Sequence, residues 1–442
     1  MKMTTFQLAS LAIFAVLLLV GIGIFSTFGG VTNASKVGKV IVWGTMDGSI
    51  VEQTLSDVRL KDKTMEDVTY IEKNTKTYVP DLINAMATGN GPDLFMISQD
   101  QITSFTDKIG VIPYGAVSQL TYTDSYIDEA QLFLTPDGSL ALPFAIDPMV
   151  LYWNRATLAS AGYSKPPEFW NDFFEMSPKL TQLDASSNIK KSAVALGGWS
   201  NVLYAKHIVA TLFMQAGDPI VLRNEAGKPM STLGAVQNTN TSANENPTTS
   251  ALQFYTEFAN PTKTTYSWNR SLPLSQDAFV AGDLALYFGF ASDYPTLKDR
   301  NPNLHLGISQ MPQIQNTGVT LAFGQITGFA IPRTTKNASG ALLAAQKLTS
   351  KSAISSLVSF SNLPSVRRDV TVDTSKDAAK SVFAKAALTS RGWLDPDPLK
   401  SDIIFQDMIE SVISGKAQPS AAVFNANQAL QTLLKTNVIQ TR

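Results

Sequence analysis

The sequence predicts an α/β protein in which a mostly parallel, doubly wound sheet carries helices on both faces and the chain forms two lobes. The first observation is that short apolar segments alternate with helical patterns between residues 39 and 97, which is typical of strands joined by helices. The second is the length of 442 residues, because single hydrophobic cores rarely grow beyond about 250–300 residues.

The first half of the chain shows the alternation most clearly. Residues 39–44 are an apolar segment that we predict to be the first strand, and residues 66–72 are predicted to be the second. Residues 79–88 place Leu82, Ile83 and Met86 on one face and are followed by Gly89, which predicts a helix and its end. A turn at 91–93 then leads into a third predicted strand, which ends at Ile97.

Residues 141–162 are the most informative segment of the chain. An apolar stretch, ALPFAIDPMVLYWN, runs into a helical pattern that ends at Gly162. Pro166 and Pro167 stop anything further. The segment therefore predicts a strand, a turn that caps a helix, and a short amphipathic helix.

Helical patterns dominate the second half. Residues 223–250 are polar and are of low complexity from 238 onward, so we predict a surface loop there. Further strands are predicted over 283–288, 304–311 and 327–331. Helices are predicted over 167–180, 201–216, 250–260, 341–348, 403–414 and 420–434.

An apolar stretch near the N-terminus sets the expected compartment. Residues 6–25 are apolar, and Lys2 is the only charged residue before Lys36. The stretch matches the ~20 residues that cross a bilayer, although Thr32-Asn33-Ala34 offers a signal-peptide cleavage site. Residues 1–36 are therefore predicted to be a membrane anchor or a cleaved signal helix plus a linker, with the rest of the chain outside the cytoplasm.

Composition argues against several functional classes. A net charge of −1 gives no electrostatic footprint for nucleic acid, and the absence of cysteine excludes disulfides, thiolate metal sites and a lipid-modified cysteine. His207 and His305 lack metal-ligand spacing, and Asp395 and Asp397 in a Pro-rich run are interpreted as a surface turn. With no catalytic motif in the chain, we expect a binding protein without metal or cofactor, and not an enzyme.

The central segment resembles that of type 1 extracellular solute-binding proteins, the maltose-binding-like receptors of ABC importers. In that family an LP…D…vLyYNk pattern is followed by aG…PP.tWdef, and residues 142–173 follow the same order. Shorter resemblances occur at GNGPDL (89–94), FVAGDLAL (279–286), GFAIP (328–332), LPSVR (363–367) and VISGKAQPSAA (412–422). Each is weak alone, but together and in the family's order they are specific.

The resemblance implies a two-lobed periplasmic-binding-protein-like fold of type II. Lobe one would comprise 37–146 and 306–351, and lobe two 147–305 and 352–442, with crossings near Asp147, His305 and Ser355. The family captures a carbohydrate by hinge closure and delivers it to ABC permease subunits in the membrane, so we expect a monomer with these partners. The missing lipobox cysteine departs from the family and indicates helix tethering or release.

Candidate ligand-binding residues lie in loops where strands end, because a sugar needs flat rings and several hydrogen-bonding groups. Trp199, in a Gly-flanked loop, is the strongest candidate stacking platform. A core position for Trp43, a turn cap for Asp147 and a salt bridge for Arg367 stay open as alternatives. The full set is Trp43, Asp47, Ser98, Asp100, Asp147, Tyr152, Trp199, Asn201, Tyr287, Phe290, Phe323, Gln325, Arg367 and Trp393.

Two other functions remain compatible with these patterns. The same fold could bind a non-sugar solute such as a peptide or a polyamine. A membrane-tethered sensor or adhesin without a transport role would use the same N-terminal helix.

Overall fold

One mixed sheet runs through both halves of the computed structural model, which describes residues 37–224, 227–235, 246–371 and 377–440. The strands in this part of the chain are β1 (Val40–Gly44), β2 (Val68–Glu72), β3 (Leu94–Ser98), β4 (Ile109–Gly110), β5 (Ile112–Pro113), β6 (Leu134–Thr135), β7 (Gly138–Ser139), β8 (Leu142–Asn154), β9 (Gln182–Leu183), β10 (Ile189–Val194), β11 (Val221–Arg223), β12 (Pro229–Ser231), β13 (Leu284–Phe290), β14 (Leu306–Ser309), β15 (Ala322–Pro332) and β16 (Ser390–Arg391).

Helices cover the faces of this sheet. Short 3₁₀ turns at Lys63–Met65 and Asp128–Phe133 supplement them. The helices are α1 (Gly48–Lys61), α2 (Tyr78–Ala87), α3 (Ile102–Phe105), α4 (Gln119–Ser125), α5 (Arg155–Ser160), α6 (Asp172–Leu180), α7 (Ala205–Gln215), α8 (Pro247–Glu257), α9 (Ser275–Ala281), α10 (Asp293–Arg300), α11 (Ala338–Leu348), α12 (Lys351–Phe360), α13 (Ala378–Leu388), α14 (Pro398–Ile413) and α15 (Pro419–Gln440).

Two long strands join the halves of the sheet, whose order is β2-β1-β3-β15-β8-β13-β10-β9. The first part of β8 pairs with β15, and its second part pairs with β13. We call the half with β1, β2 and β3 the first lobe and the half with β13, β10 and β9 the second lobe. The sheet is mixed and not mostly parallel, because β15 runs antiparallel to both β3 and β8, and β13 runs antiparallel to β8.

Local sequence signals explain most of these elements. Every residue of β3 and β13 is buried, as expected for strands covered on both faces. Asn154 ends β8 and caps α5, since its side-chain oxygen accepts a hydrogen bond of 3.1 Å from the backbone nitrogen of Thr157. Strand β11 leads into the predicted surface loop at 223–250 and pairs with β12 inside it, and Pro247 begins α8 before the predicted end of that loop. No helix was predicted at α1, although Val51, Leu55 and Val58 bury one face of it.

Two of the predicted lobe boundaries differ from the contacts in the structure. Strand β14 pairs with residues Leu151–Asn154 of β8, so residues 306–309 lie beside the second lobe and not the first. Helix α12 packs against α1 of the first lobe, where Ser356 hydrogen-bonds to Asp57 and Lys61 donates to Ser352 over 2.8 Å. The segment 351–360 therefore extends the first lobe beyond the predicted limit at 351.

Gly328 allows β15 to pass close to its neighbours, and this gives a first prediction. A Cβ at Gly328 would lie 2.8 Å from the carbonyl oxygen of Leu142 and 2.9 Å from the ring of Phe133. We expect Gly328→Ala to lower the free energy of unfolding by about 1–3 kcal/mol through overpacking. Chemical denaturation measures this, with Gly115→Ala as the control, since a Cβ there meets no atom within 4 Å. Equal stability of the two variants would contradict the packing at this crossing.

Candidate functional site

The crossing strands bring the ends of several elements together between the lobes. Asp147 of β8 is the register partner of Gln325 of β15. The backbone nitrogens of Ala291 and Ser292, just after β13, donate to the carbonyl oxygen of Pro148 and to Asp147 over 3.0 Å each. In open α/β sheets the ligand cleft lies outside the carboxyl ends of strands, and these residues lie at such a position.

An aromatic cluster, formed by Tyr204, His207, Phe290 and Phe323, lies beside this crossing. The ring centroids of Tyr204 and Phe290 are 4.8 Å apart, and those of His207 and Phe323 are 4.6 Å apart, both nearly edge to face. Such pairs contribute about 0.5–1.5 kcal/mol beyond the area they bury. Burial lowers the pKa of His207 to about 3, so its ring is neutral.

Backbone strain accompanies the cluster at Tyr204. This residue precedes α7 with φ of 66°, a left-handed conformation that few non-glycine residues adopt. Its hydroxyl donates a hydrogen bond of 3.0 Å to Asp293. Strained residues of this kind concentrate at binding and active sites, and the strain explains why helix α7 begins at Ala205 and not at the predicted residue 201.

Asp293 organises the second-lobe side of the cleft. Its carboxylate accepts hydrogen bonds from the hydroxyls of Tyr204 and Tyr287, each of 3.0 Å, and from the backbone nitrogen of Phe290 at 3.2 Å. Burial raises the pKa of Asp293, and these donors oppose that rise. The arrangement fixes the two tyrosines and the end of β13 in one geometry.

Asp147 lies close to Asp293 and carries a perturbed carboxyl group. Burial raises its pKa to about 7, the hydrogen bond from Ser292 opposes this, and the negative charge of Asp293 adds to the rise. A carboxyl group in this state is a candidate binding group, because a solute that donates a hydrogen bond or a positive charge would favour its ionised form.

Charged groups of both lobes meet near the end of β3. Lys206 of α7 lies 3.2 Å from Asp395 and 2.5 Å from Asp402. Asp100 of the first lobe hydrogen-bonds to Ser98, and although burial raises its pKa, the charge of Lys206 opposes the rise. Asp395 is buried in this group, so its interpretation as a surface turn was wrong.

Glu129 is a buried carboxyl group with no hydrogen-bond partner for either oxygen among the described residues. A Cβ added at Gly324 or at Gly392 would lie 2.4 Å or 2.8 Å from its oxygens, so both glycine backbones pack directly against it. Burial raises the pKa of Glu129 to about 8, and the positive charge of Arg391 opposes this rise. Glu129 was not predicted from the sequence, because nothing in its local pattern marks a carboxylate that tertiary contacts bury.

A surface groove of about 610 Å³ lies elsewhere, between α14 and α15. Its lining includes Arg270, Glu410 and Ala426 but no aromatic residue. It lacks the flat rings that a sugar face requires, so the inter-lobe cleft is the better candidate site.

Comparison with known proteins identifies the family. The sequence profile of the bacterial extracellular solute-binding proteins matches residues 61–384, well over half of the chain. This chain belongs to that family.

Solved structures of solute-binding proteins share the fold at low sequence identity. A cyclo/maltodextrin-binding protein complexed with maltotetraose superposes with a TM-score of 0.70 at 15% identity, covering 90% of this chain and 97% of that one. An ABC transporter solute-binding protein from Thermotoga lettingae, bound with α-D-tagatose, gives 0.65 at 17%, covering 90% and 100%. The cyclic α-maltosyl-1,6-maltose binding protein from Arthrobacter globiformis gives 0.71 at 15%, covering 90% and 99%. The two-lobed fold predicted from the sequence is confirmed.

The predicted N-terminal membrane or signal helix of this solute-binding protein lies outside the described residues. Within the described ranges, no helix combines the length and apolar character that a membrane span requires.

Several predicted site residues have structural roles instead. Asp47 caps α1, accepting hydrogen bonds from the backbone nitrogens of Ser49 and Ile50. The side-chain oxygen of Asn201 accepts a hydrogen bond from the indole nitrogen of Trp268. Its side-chain nitrogen donates to the backbone carbonyl oxygens of residues 269 and 272. The ring of Trp43 is covered by Lys73, whose ammonium nitrogen lies 3.6 Å from the ring centroid. Each of these three therefore has a structural contact that the sequence did not predict.

Four further candidates are core or ion-pair residues. Tyr152 is fully buried, stacks on Tyr287, and donates its hydroxyl hydrogen to the carbonyl oxygen of Phe290. Tyr287 is buried beside it and reaches the cleft only through Asp293. Trp393 stacks on Phe405 of α14 with centroids 5.9 Å apart. Arg367 pairs with Asp369 over 2.8 Å, which is the salt-bridge alternative that the sequence left open.

The remaining candidates lie at or near the cleft. Asp147 pairs in register with Gln325 at the crossing, and Phe290 and Phe323 pack against each other there with 4% and 3% of their surface exposed. Ser98 and Asp100 hydrogen-bond to each other just after β3. Trp199 is half-buried in the loop before α7 and packs against the hydrophobic core. Tyr204 and Asp293 were not predicted from the sequence, although Asp293 follows Phe290 by only three residues. No local sequence pattern predicts that a tyrosine or an aspartate will lie near the crossing, because tertiary packing determines that position.

The state of Glu129 gives a prediction for stability against pH. Its folded pKa of about 8 lies above the ordinary value of 4.5, so the unfolded chain loses its proton first. The free energy of unfolding therefore falls as pH rises from about 4.5 to about 8, with a limiting slope of about 1.4 kcal/mol per pH unit for one group. We expect Glu129→Gln to remove this loss, so that its advantage in thermal unfolding over the wild type is larger at pH 8 than at pH 5.

The control for this prediction is Glu66→Gln, which neutralises an exposed carboxylate of the same lobe. Parallel pH profiles for the wild type and Glu129→Gln would show that Glu129 ionises normally in the folded protein.

Proposed function

We propose that this protein is the extracytoplasmic solute-binding component of an ABC importer and captures a carbohydrate between its lobes. The observation that carries the proposal is the aromatic cluster beside the carboxyl group of Asp147 at the crossing of β8 and β15. Rings supply apolar surface for a sugar face, and carboxylates accept hydrogen bonds from its hydroxyls. Structural neighbours bound to maltotetraose and α-D-tagatose support the same class of solute.

Each lobe contributes different groups to this proposed site. The first lobe supplies Ser98 and Asp100, the crossing strands supply Asp147, Phe323 and Gln325, and the second lobe supplies Tyr204 and Phe290. We include Trp199 as a further stacking residue at the rim. A hydroxyl-binding group left unpaired in a buried site costs about 1–3 kcal/mol, so a solute with mismatched hydroxyls is rejected.

The mechanism is hinge closure about β8 and β15. A solute that contacts both lobes stabilises the closed form, and it does so only through its higher affinity for that form. The closed protein then docks on permease subunits in the membrane, whose ATPase is a separate chain. Capture makes or breaks no covalent bond, so the site needs no catalytic residue, metal or cofactor.

Residues 1–36 complete the proposal for location. Their apolar stretch at 6–25 tethers the protein to the outer face of the cell membrane, or directs its release after cleavage. The linker that follows separates the lobes from the bilayer.

Thermal unfolding in the presence of a panel of mono- and oligosaccharides, amino acids, peptides and polyamines tests the function. A solute that binds only the native state at one hundred times its dissociation constant adds about 2.7 kcal/mol to the free energy of unfolding. We expect such a shift with one class of saccharide. A shift with peptides alone, or with no member of the panel, would overturn carbohydrate capture.

A variant of the aromatic cluster tests the position of the site. Phe290→Leu keeps most of the side-chain volume and removes the ring, so we expect the affinity for the saccharide to fall on the order of tenfold, as the loss of one stacked ring predicts. The matched control is Phe424→Leu, because Phe424 is 60% exposed on α15. Calorimetric titration measures both affinities, and an unchanged affinity in Phe290→Leu would exclude this cluster as the binding surface.

A further inference from the structure

Glu129 lies where strand β15 passes from one lobe to the other. On the second-lobe side, the backbone nitrogen of Phe323 donates over 3.2 Å to the hydroxyl of Thr211 on α7. On the first-lobe side, the backbone nitrogen of Ile326 donates over 2.6 Å to a side-chain oxygen just after β3. Gly324 lies between these two attachments and packs against the carboxyl group of Glu129. A hinge in β15 therefore bends beside this carboxyl group.

The contact of Glu129 with Gly324 and Gly392, which we call the rear contact, joins the two lobes. The 3₁₀ turn that carries Glu129 is hydrogen-bonded to α4 of the first lobe. Gly392 moves with the second lobe, because the next residue, Trp393, stacks on Phe405 of α14 with ring centroids 5.9 Å apart. A change in the angle between the lobes therefore changes the rear contact.

The rear contact and the aromatic cluster lie on opposite faces of β15. Neighbouring side chains of a strand point to opposite faces of the sheet. The ring centroid of Phe323 lies 4.6 Å from that of His207 in the cluster, whereas a Cβ at Gly324 would point at Glu129 and Ser390. A rotation that brings the lobes together over the cluster must therefore separate the groups that lie behind it.

Both carboxyl oxygens of Glu129 lack a hydrogen-bond donor among the described residues, although the residue is only 1% exposed. An ionised carboxylate is costly to bury without donors. Burial accordingly raises the pKa of Glu129 to about 8, so the rear contact holds the group protonated below that pH.

The charged groups around Glu129 are engaged with one another. Arg391 of β16 opposes the raised pKa of Glu129, but its guanidinium pairs with Asp128 of the same 3₁₀ turn over 2.7 Å. Asp128 also pairs with Arg368.

The remaining elements at the rear contact present neutral groups. Strand β15 contributes Gly324, and the segment after β3 contributes the amide of Gln99. The next residue, Asp100, hydrogen-bonds to Ser98 instead. Among these neighbours, no group donates a hydrogen bond that would stabilise an ionised Glu129 in place.

We propose that Glu129 is a pH-sensitive switch of lobe closure, whose ionisation opens the rear contact and favours closure of the lobes over the aromatic cluster. The inference rests on the hinge closure of the proposed function and adds a regulator to it. The charged form favours the arrangement in which Gly392 has moved away and water reaches both carboxyl oxygens. By linkage, closure releases the proton to water, and a solute that binds the closed form binds more tightly as pH rises.

A pair of spin labels measures closure on the full-length chain without any solute. The chain has no cysteine of its own, so Thr75→Cys after β2 and Ser200→Cys after β10 give two exposed labelling positions, one on each lobe. Pulsed electron paramagnetic resonance at pH 6 and pH 9 gives the distances between them across the cleft. We expect the ratio of shorter to longer distances to rise on the order of tenfold at pH 9, because one linked proton contributes up to about tenfold per pH unit.

Glu129→Gln in the labelled chain retains the shape of the side chain and removes its ionisation. We expect its distance distribution to be the same at both pH values. The matched control is Glu66→Gln, which neutralises an exposed carboxylate of the same lobe and should keep the response of the parent chain.

Gly392→Ala tests the rear contact without changing any charge. Its Cβ would lie 2.8 Å from a carboxyl oxygen of Glu129, so we expect crowding to open the contact and to enrich the shorter distances already at pH 6. Gly115→Ala is the control, since a Cβ there meets no atom within 4 Å.

The outcomes separate this inference from the proposed function. Distances that stay the same between pH 6 and pH 9, or that lengthen, overturn the switch, and so does a response that persists in Glu129→Gln. Closure at pH 9 in a chain that binds no saccharide of the panel overturns carbohydrate capture and leaves the switch standing. Saccharide binding without any response of the distances to pH has the opposite meaning.

Discussion

The pairing of β8 with β15 is the constraint on which the rest of the structure depends. These two strands are the longest of the sheet, and each is shared between the lobes. Gln99 reinforces the pairing, since its side-chain nitrogen donates to the carbonyl oxygen of Gly324 over 2.9 Å and its oxygen accepts from the nitrogen of Ile326 over 2.6 Å. The proposed site and the proposed hinge therefore share residues, and under this proposal a solute bound at the crossing would act directly on lobe closure.

Buried carboxyl groups set the chemical character of that crossing. An ionised carboxylate is costly to bury unless donors or cations surround it. Asp293 has such donors and Asp395 has Lys206. Glu129 accepts no hydrogen bond from the described residues, and the charge of Arg391 opposes its raised pKa only in part. Substituting a neutral residue at such a position commonly raises the free energy of unfolding. A protein that keeps the carboxyl group therefore commonly needs it for binding. The proposed importer function offers a reason for Asp147, whose charge a solute can use. For Glu129 the equivalent reason is the coupling to lobe closure that we propose.

Motif order was a better guide to the fold than to the site. The segment around residues 142–154 predicted the crossing strand, because its apolar run and its capping asparagine are local signals. The candidates at Phe290, Phe323 and Asp147 lie together for the same reason, since each follows from a position at the end or crossing of a strand. From the sequence alone, Asp47, Asn201 and Tyr152 are equally suitable candidates for ligand binding. Their hydrogen bonds to α1, Trp268 and Phe290 show that they serve the fold.

The sequence by itself determined the class of fold, the crossing segment and the family, because periodicity, capping residues and motif order are properties of neighbouring residues. Tertiary structure decided which side chains share the cleft. Tyr204 has a left-handed backbone conformation that no sequence pattern predicts. Asp395 accepts a buried hydrogen bond from Lys206, which is 189 positions away in the chain. Burial, pairing and pKa depend on what the fold brings within a few ångströms, and such distances are set by packing and not by spacing along the chain.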